Sequence, residues 1–145
     1  MNNKEVLLSV IAASKDQGLT PVQLQKSLFV VGKCKLPELP SEYYEFVPYD
    51  YGPFNKEIYI DVKDLVQEGA IEASNLSGQS WLIYTATSKG KKQAGQLEKR
   101  TGIECRLSNY INEVVNWVLS LSFRDLLKAI YSQYPEYRTN SVFEE

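Results

Sequence analysis

Hydrophobic residues recur at intervals of three and four along most of this chain, a spacing typical of amphipathic helices. The pattern predicts helices over residues 4–14, 21–31, 54–68, 88–100, 108–119 and 122–134. Asn2 or Asn3 is expected to cap the first helix, and Thr20, followed by Pro21, gives a strong start signal for the second. Thr87, Ser108 and Ser122 are the predicted caps of the last three helices.

The third helix is predicted to begin at Pro53, because proline suits the first helical position and the residues before it cannot be helical. Gly69 is expected to end it in the left-handed conformation. One side of this helix is apolar and the other is mostly acidic. The predicted buried stripe consists of Phe54, Ile58, Val62, Leu65 and Val66.

Residues 70–73 are predicted to form a short strand, and residues 81–86 are rich enough in β-branched and aromatic residues for the returning strand of a hairpin. The polar turn between them covers residues 75–80 and contains Gly78. The chain therefore reads as three helices, a hairpin and further helices. We predict one domain that is mainly α with a small β-hairpin: a winged-helix-like core over residues 1–102 and a C-terminal helical extension over 103–145. The polar tail from Arg138 is expected to be loosely held.

Composition narrows the class of protein. The 145 residues are 43% hydrophobic and 23% charged, which is the balance of a soluble globular chain. Neither a signal peptide nor a membrane span is evident, so a cytoplasmic location is expected. The chain has no histidine, and its two cysteines, Cys34 and Cys105, are far apart. No metal ligand set, cofactor or catalytic constellation is therefore predicted, and the protein is not expected to be an enzyme.

The residues from Tyr43 to Gly69 are the least ordinary stretch, because they concentrate aromatic rings around two prolines. Phe46, Phe54 and Tyr59 are expected to fill the core. The tyrosines exceed what one face can bury, and exposed tyrosines on a stiff loop are typical of protein interfaces. The predicted partner-binding residues are Tyr43, Tyr44, Tyr49 and Tyr51, with Glu57, Asp61 and Asp64 on the acidic face of the third helix.

Charge is unevenly distributed. Residues 36–72 hold nine acidic residues against two lysines, whereas residues 89–106 hold six basic residues against two glutamates. An acidic third helix repels phosphates and favours a basic protein partner. The alternative is a winged-helix transcriptional regulator that contacts DNA through Lys89, Lys91, Lys92 and Arg100, with the hairpin tip near Gly78. A second copy of the chain is left open as a further partner.

Three motifs together resemble the Panacea (SocA-like) antitoxin domain family over roughly the first hundred residues. They are Leu24-Gln25-Lys26-Ser27-Leu28-Phe29, then Phe46-Val47-Pro48-Tyr49-Asp50-Tyr51-Gly52-Pro53-Phe54 leading into Ile58-Tyr59 and Asp61, then Tyr84-Thr85-Ala86-Thr87-Ser88-Lys89-Gly90. The resemblance implies a bacterial or phage protein without catalytic activity. Such a protein neutralises a co-encoded toxin by direct contact or acts as a proteolytic adaptor.

Overall fold

A computed structural model describes residues 1–75, 82–100, 106–138 and 141–142, with Arg100 described in its backbone alone. It confirms a mainly α fold with small antiparallel β elements. The helices are α1 Asn3–Ala13, α2 Pro21–Gly32, α3 Glu57–Gln67, α4 Ser88–Arg100, α5 Arg106–Leu119 and α6 Phe123–Gln133, and a 3-10 turn follows at Pro135–Arg138. The strands are β1 Val47–Tyr49, β2 Gly52–Phe54, β3 Ile71–Asn75 and β4 Leu82–Ala86.

Helix α1 lies at the centre of the fold. Its apolar residues extend around more than one face, so a single stripe against one neighbour could not bury them. It packs against α2, α3, α4, α5 and strand β4. The buried side chains of this helix are Val6, Leu7, Leu8, Val10 and Ile11.

Most of the predicted helix starts are confirmed. Asn2 and Thr20 each form a reciprocal capping box, and Ser122 accepts a hydrogen bond from the backbone N–H of Asp125. Thr87 accepts one from the N–H of Gly90 at the start of α4. The prediction for Ser108 was wrong: α5 already begins at Arg106, and Ser108 is buried within it.

The predicted hairpin is confirmed as β3 paired antiparallel with β4, from Ile71 opposite Ala86 to Asn75 opposite Leu82. Leu19 adds an isolated bridge to Tyr84 through two backbone hydrogen bonds of 3.0 and 2.8 Å. The turn residues 76–81, including Gly78, lie outside the described part of the chain.

The C-terminal helices complete the core and do not form a separate layer. Helix α5 packs against α1 and α2, and α6 closes over β2. Within the tail, the prediction of a loose segment was wrong for Ser141 and Val142. The N–H of Val142 donates to the carbonyl oxygen of Asp50 at 2.9 Å, and the Ser141 hydroxyl donates to the same oxygen at 3.2 Å. The core residues from the two helices are Leu107, Ile111, Val114, Val115, Val118, Leu126 and Ile130.

None of the helices in the described ranges is long and apolar enough to cross a membrane.

Candidate protein-interaction surface

The aromatic stretch contains a short β-ribbon that the sequence did not predict. Gly52-Pro53-Phe54 is strand β2, paired with β1 so that Pro48 lies opposite Pro53. The prediction that Pro53 begins the third helix was therefore wrong. Proline has no N–H to donate, so the two prolines occupy the pair of the ladder that exchanges no hydrogen bonds. Gly52, at φ +90°, supplies the left-handed residue that closes the turn.

Buried polar side chains of α2 hold this ribbon against the core. Because the Pro53 carbonyl forms no bond to β1, it needs another donor, and the Lys26 ammonium donates to it at 2.9 Å. Lys26 is only 2% exposed. This burial lowers the pKa of the Lys26 ammonium from 10.5 to about 7.

Asn55 determines where α3 starts. Its side-chain oxygen accepts from the N–H groups of Glu57 at 2.7 Å and Ile58 at 3.3 Å, which satisfies the first turn. Its amide nitrogen donates to the Glu45 carbonyl at 2.6 Å. Gln25 in turn exchanges two hydrogen bonds of 2.8 and 2.9 Å with the Asn55 backbone. Helix α3 thus begins four residues later than the proline suggested, and its start is tied to both α2 and the segment before the ribbon.

Two of the predicted partner-binding tyrosines lie on the ribbon surface. Tyr49 is 51% exposed and Tyr51 is 44% exposed. Tyr49 stacks on Phe54 with ring centroids 4.7 Å apart, and Tyr51 meets Phe123 of α6 edge to face at 5.5 Å. Each ring is therefore supported by one neighbour, which limits its rotation while leaving the remaining surface accessible.

Tyr43 and Tyr44 are more enclosed than Tyr49 and Tyr51: Tyr43 is half-buried, and Tyr44 is buried, which corrects the expectation of an exposed ring for Tyr44. The Tyr43 hydroxyl donates to the Leu28 carbonyl at 2.6 Å, and its ring lies against Gly32, where a Cβ would approach it to 2.5 Å. Tyr44 is 6% exposed and donates to Asp61 at 2.5 Å. Burial raises the pKa of both tyrosines, and for Tyr44 the bond to Asp61 raises it further.

The three predicted carboxylates of α3 have different surroundings. Asp61 accepts the Tyr44 hydrogen bond, and Asp64 lies 3.8 Å from the Lys4 ammonium. Glu57 is exposed at the start of the helix. Of the seven predicted site residues, Tyr49, Tyr51, Glu57 and Asp64 therefore keep accessible side chains, and that of Asp64 is 45% exposed.

A groove of about 810 Å³ runs beside the ribbon and brings Tyr49 and Glu57 together. We call it the acidic groove. Its rim carries three carboxylates and one ammonium, from Glu42, Glu45, Glu57 and Lys56. The other residues that line it are Ser41, Tyr43, Val47, Tyr49, Phe54 and Asn55.

Sequence reasoning missed Glu42, Glu45, Val47 and Phe123 as surface residues of this region. Val47 is 54% exposed and Phe123 is 46% exposed. Glu42 and Glu45 could have been found from their position beside the tyrosines in an acidic segment. Phe123 had no such signal, because its contact with Tyr51 joins residues that are far apart in the chain. It also borders an apolar cleft of about 430 Å³ between α2 and α6, lined by Pro21, Val22, Leu121 and Leu126.

The lysines proposed for DNA contact are partly engaged within the protein. The Lys89 ammonium donates to the Glu68 carbonyl at 2.6 Å, and Lys91 pairs with Asp16 at 2.7 Å. Lys92 is exposed. The Arg100 side chain, the fourth member of this predicted set, lies outside the described part of the structure.

No family model matches this chain, and no match to it was found among curated proteins. The resemblance to the antitoxin domain family therefore rests on the quoted motif residues. The structure gives those motifs a physical connection, since Gln25 and Lys26 of the first motif hold the backbone of Pro53 and Asn55 in and just after the second.

Proposed function

We propose that this chain is a non-catalytic protein-interaction module of the antitoxin type, which neutralises or adapts a protein partner, such as a co-encoded toxin, by direct contact. The observation that carries the proposal is the exposure of Tyr49 and Tyr51 on a ribbon that a buried hydrogen bond joins to the core. Tyrosine offers a large contact area at low entropic cost, and a preorganised surface loses little freedom on binding.

The surroundings of these tyrosines support the same function. Val47 and Phe123 extend the apolar surface on either side of them, and the acidic groove adds uncompensated negative charge beside it. An apolar centre with a charged border is the usual anatomy of a protein interface. Nucleic acid is a poor fit for this surface, because phosphates would face the carboxylates.

The test is co-expression of the chain with the product of an adjacent open reading frame, with growth rescue and co-purification as readouts. We expect the wild-type chain to bind and neutralise that product, and Tyr49→Ala/Tyr51→Ala to lose both properties, with a thermal midpoint within a few degrees of wild type. Trp117→Ala is the matched control, since Trp117 is a 38% exposed aromatic residue on α5.

Retained binding in the double tyrosine variant would refute the proposed surface. A large loss of thermal stability in that variant would assign the two rings to the core instead.

A further inference from the structure

We infer that the acidic groove receives an extended, arginine- or lysine-bearing segment of the protein partner. The inference rests on the proposed function and specifies the chemistry of the partner. Three observations support it: the charge of the rim, the aromatic wall and the hydrogen bonds that join the two sides of the groove.

The rim is electrostatically unbalanced. Glu42, Glu45 and Glu57 contribute three carboxylates and Lys56 one ammonium, which leaves two excess negative charges. The ion pairs formed by described side chains involve none of these three glutamates. Cationic side chains from a partner would therefore meet carboxylates that have not already been neutralised, and this complementarity accelerates association and excludes acidic partners.

An aromatic wall adjoins this charge. Tyr49 and Phe54 are stacked at 4.7 Å with their planes 23° apart, so both line the groove as one continuous surface. A guanidinium or ammonium group is attracted to the face of such a ring, and guanidinium also stacks on it. Carboxylates and an aromatic face together select arginine and lysine over neutral polar residues.

The groove is fixed by hydrogen bonds and not by packing alone. The Asn55 side chain bonds both the Glu45 backbone and the start of α3, so one residue links the two acidic sides. Gln25 anchors Asn55 in turn. A segment that binds here meets a preorganised surface, which reduces the entropic cost of association.

The experiment is an NMR titration of the isotopically labelled full chain with hexa-arginine, and with hexa-glutamate as the opposite-charge probe. We expect hexa-arginine to shift the backbone amide signals of residues 42–49 and 55–57, and hexa-glutamate to shift none of them. Glu45→Gln/Glu57→Gln should weaken hexa-arginine binding by about tenfold, the combined effect of removing two exposed ion pairs of ordinary strength.

Glu72→Gln/Glu113→Gln is the matched control, because it removes the same charge from two exposed positions outside the groove. It should change the affinity for hexa-arginine by less than about twofold, which is the effect of losing one weak exposed ion pair. Equal weakening in the two variants, or signals that shift elsewhere, would overturn the inference. Both double variants keep the backbone contacts of the groove, so their thermal midpoints should match wild type.

The outcomes also separate this inference from the proposed function. A partner that requires Tyr49 and Tyr51 but binds Glu45→Gln/Glu57→Gln at wild-type strength would leave the interaction module intact and reject the cationic segment. Hexa-arginine binding in the groove without neutralisation of any protein would support a site for cationic segments and reject the antitoxin function.

Discussion

Replacing Lys26 with methionine tests how the core holds the ribbon. Lys26 is almost completely buried, and its ammonium donates to the Pro53 carbonyl at 2.9 Å. Burial lowers the pKa of this group to about 7, whereas its ordinary value, which applies in the unfolded chain, is 10.5. Between these values the unfolded chain holds a proton that the folded chain has released. The free energy of unfolding therefore rises with pH across this window, and the stabilisation is lost as the pH falls towards 7.

The size of this pH dependence follows from the titration of a single group, the Lys26 ammonium. Lys26 alone should raise the free energy of unfolding by about 2 kcal/mol between pH 7 and pH 9, because the folded chain is half protonated at the lower value and nearly unprotonated at the higher. For a chain of this length, that change corresponds to about 6 °C in the thermal midpoint. Methionine has a similar length and no titratable group, so Lys26→Met should lose this dependence.

The assay is urea unfolding followed by circular dichroism at pH 7, 8 and 9, for wild type and Lys26→Met. Other titrating groups are shared by the two chains and cancel in the difference between their free energies of unfolding. We expect that difference to increase in favour of wild type by about 2 kcal/mol over the range. Lys92→Met, at an exposed position of α4, is the control and should show a constant difference. A Lys26→Met difference that stays constant with pH would show that the ammonium is solvated, and would refute the buried contact.

Three further predictions concern the glycine of α4, the start of α3 and the alternative function. Gly90→Ala should destabilise the fold by several kcal/mol, because a Cβ at this position would lie 1.9 Å from the Ala70 carbonyl oxygen. Gly95→Ala is the control in the same helix: its Cβ would meet nothing within 4 Å, and the substitution should stabilise the fold by about 0.5–1 kcal/mol. Equal midpoints in thermal unfolding would contradict this. Asn55→Ala should lower the free energy of unfolding, measured with urea, by about 1–3 kcal/mol. Asn55→Asp should recover part of this loss, because aspartate still caps the helix but cannot donate to the Glu45 carbonyl. No recovery would mean that capping contributes little. Duplex DNA retention should be weak and show little dependence on salt, and tight binding that falls steeply between 50 and 200 mM salt would instead favour the regulator.

Local signals in the sequence determined most helix boundaries. Asn2, Thr20, Thr87 and Ser122 each cap a helix through atoms within three residues, so neighbouring residues suffice to predict them. The β3–β4 hairpin was predicted for the same reason, since β-branched and aromatic content and turn composition are local. The acidic character of α3 is likewise a property of its own residues.

The ribbon and the surface of the aromatic stretch were decided by the tertiary structure. Pro53 carries the same local signal whether it begins a helix or lies in a strand, and the Lys26 and Gln25 contacts from α2 favour the strand here. Exposure of the tyrosines was decided in the same way. Tyr44 is buried and donates to Asp61 on the next helix, whereas Tyr51 meets Phe123 edge to face and stays 44% exposed.

The sequence by itself thus determined which segments are helical and which stretch is rich in rings and negative charge. Only the packing of α2, α3 and α6 around that stretch decided which rings and carboxylates face solvent. The physical reason is range: caps and periodicity act within one or two turns, while burial and hydrogen bonding of a side chain depend on groups tens of residues away.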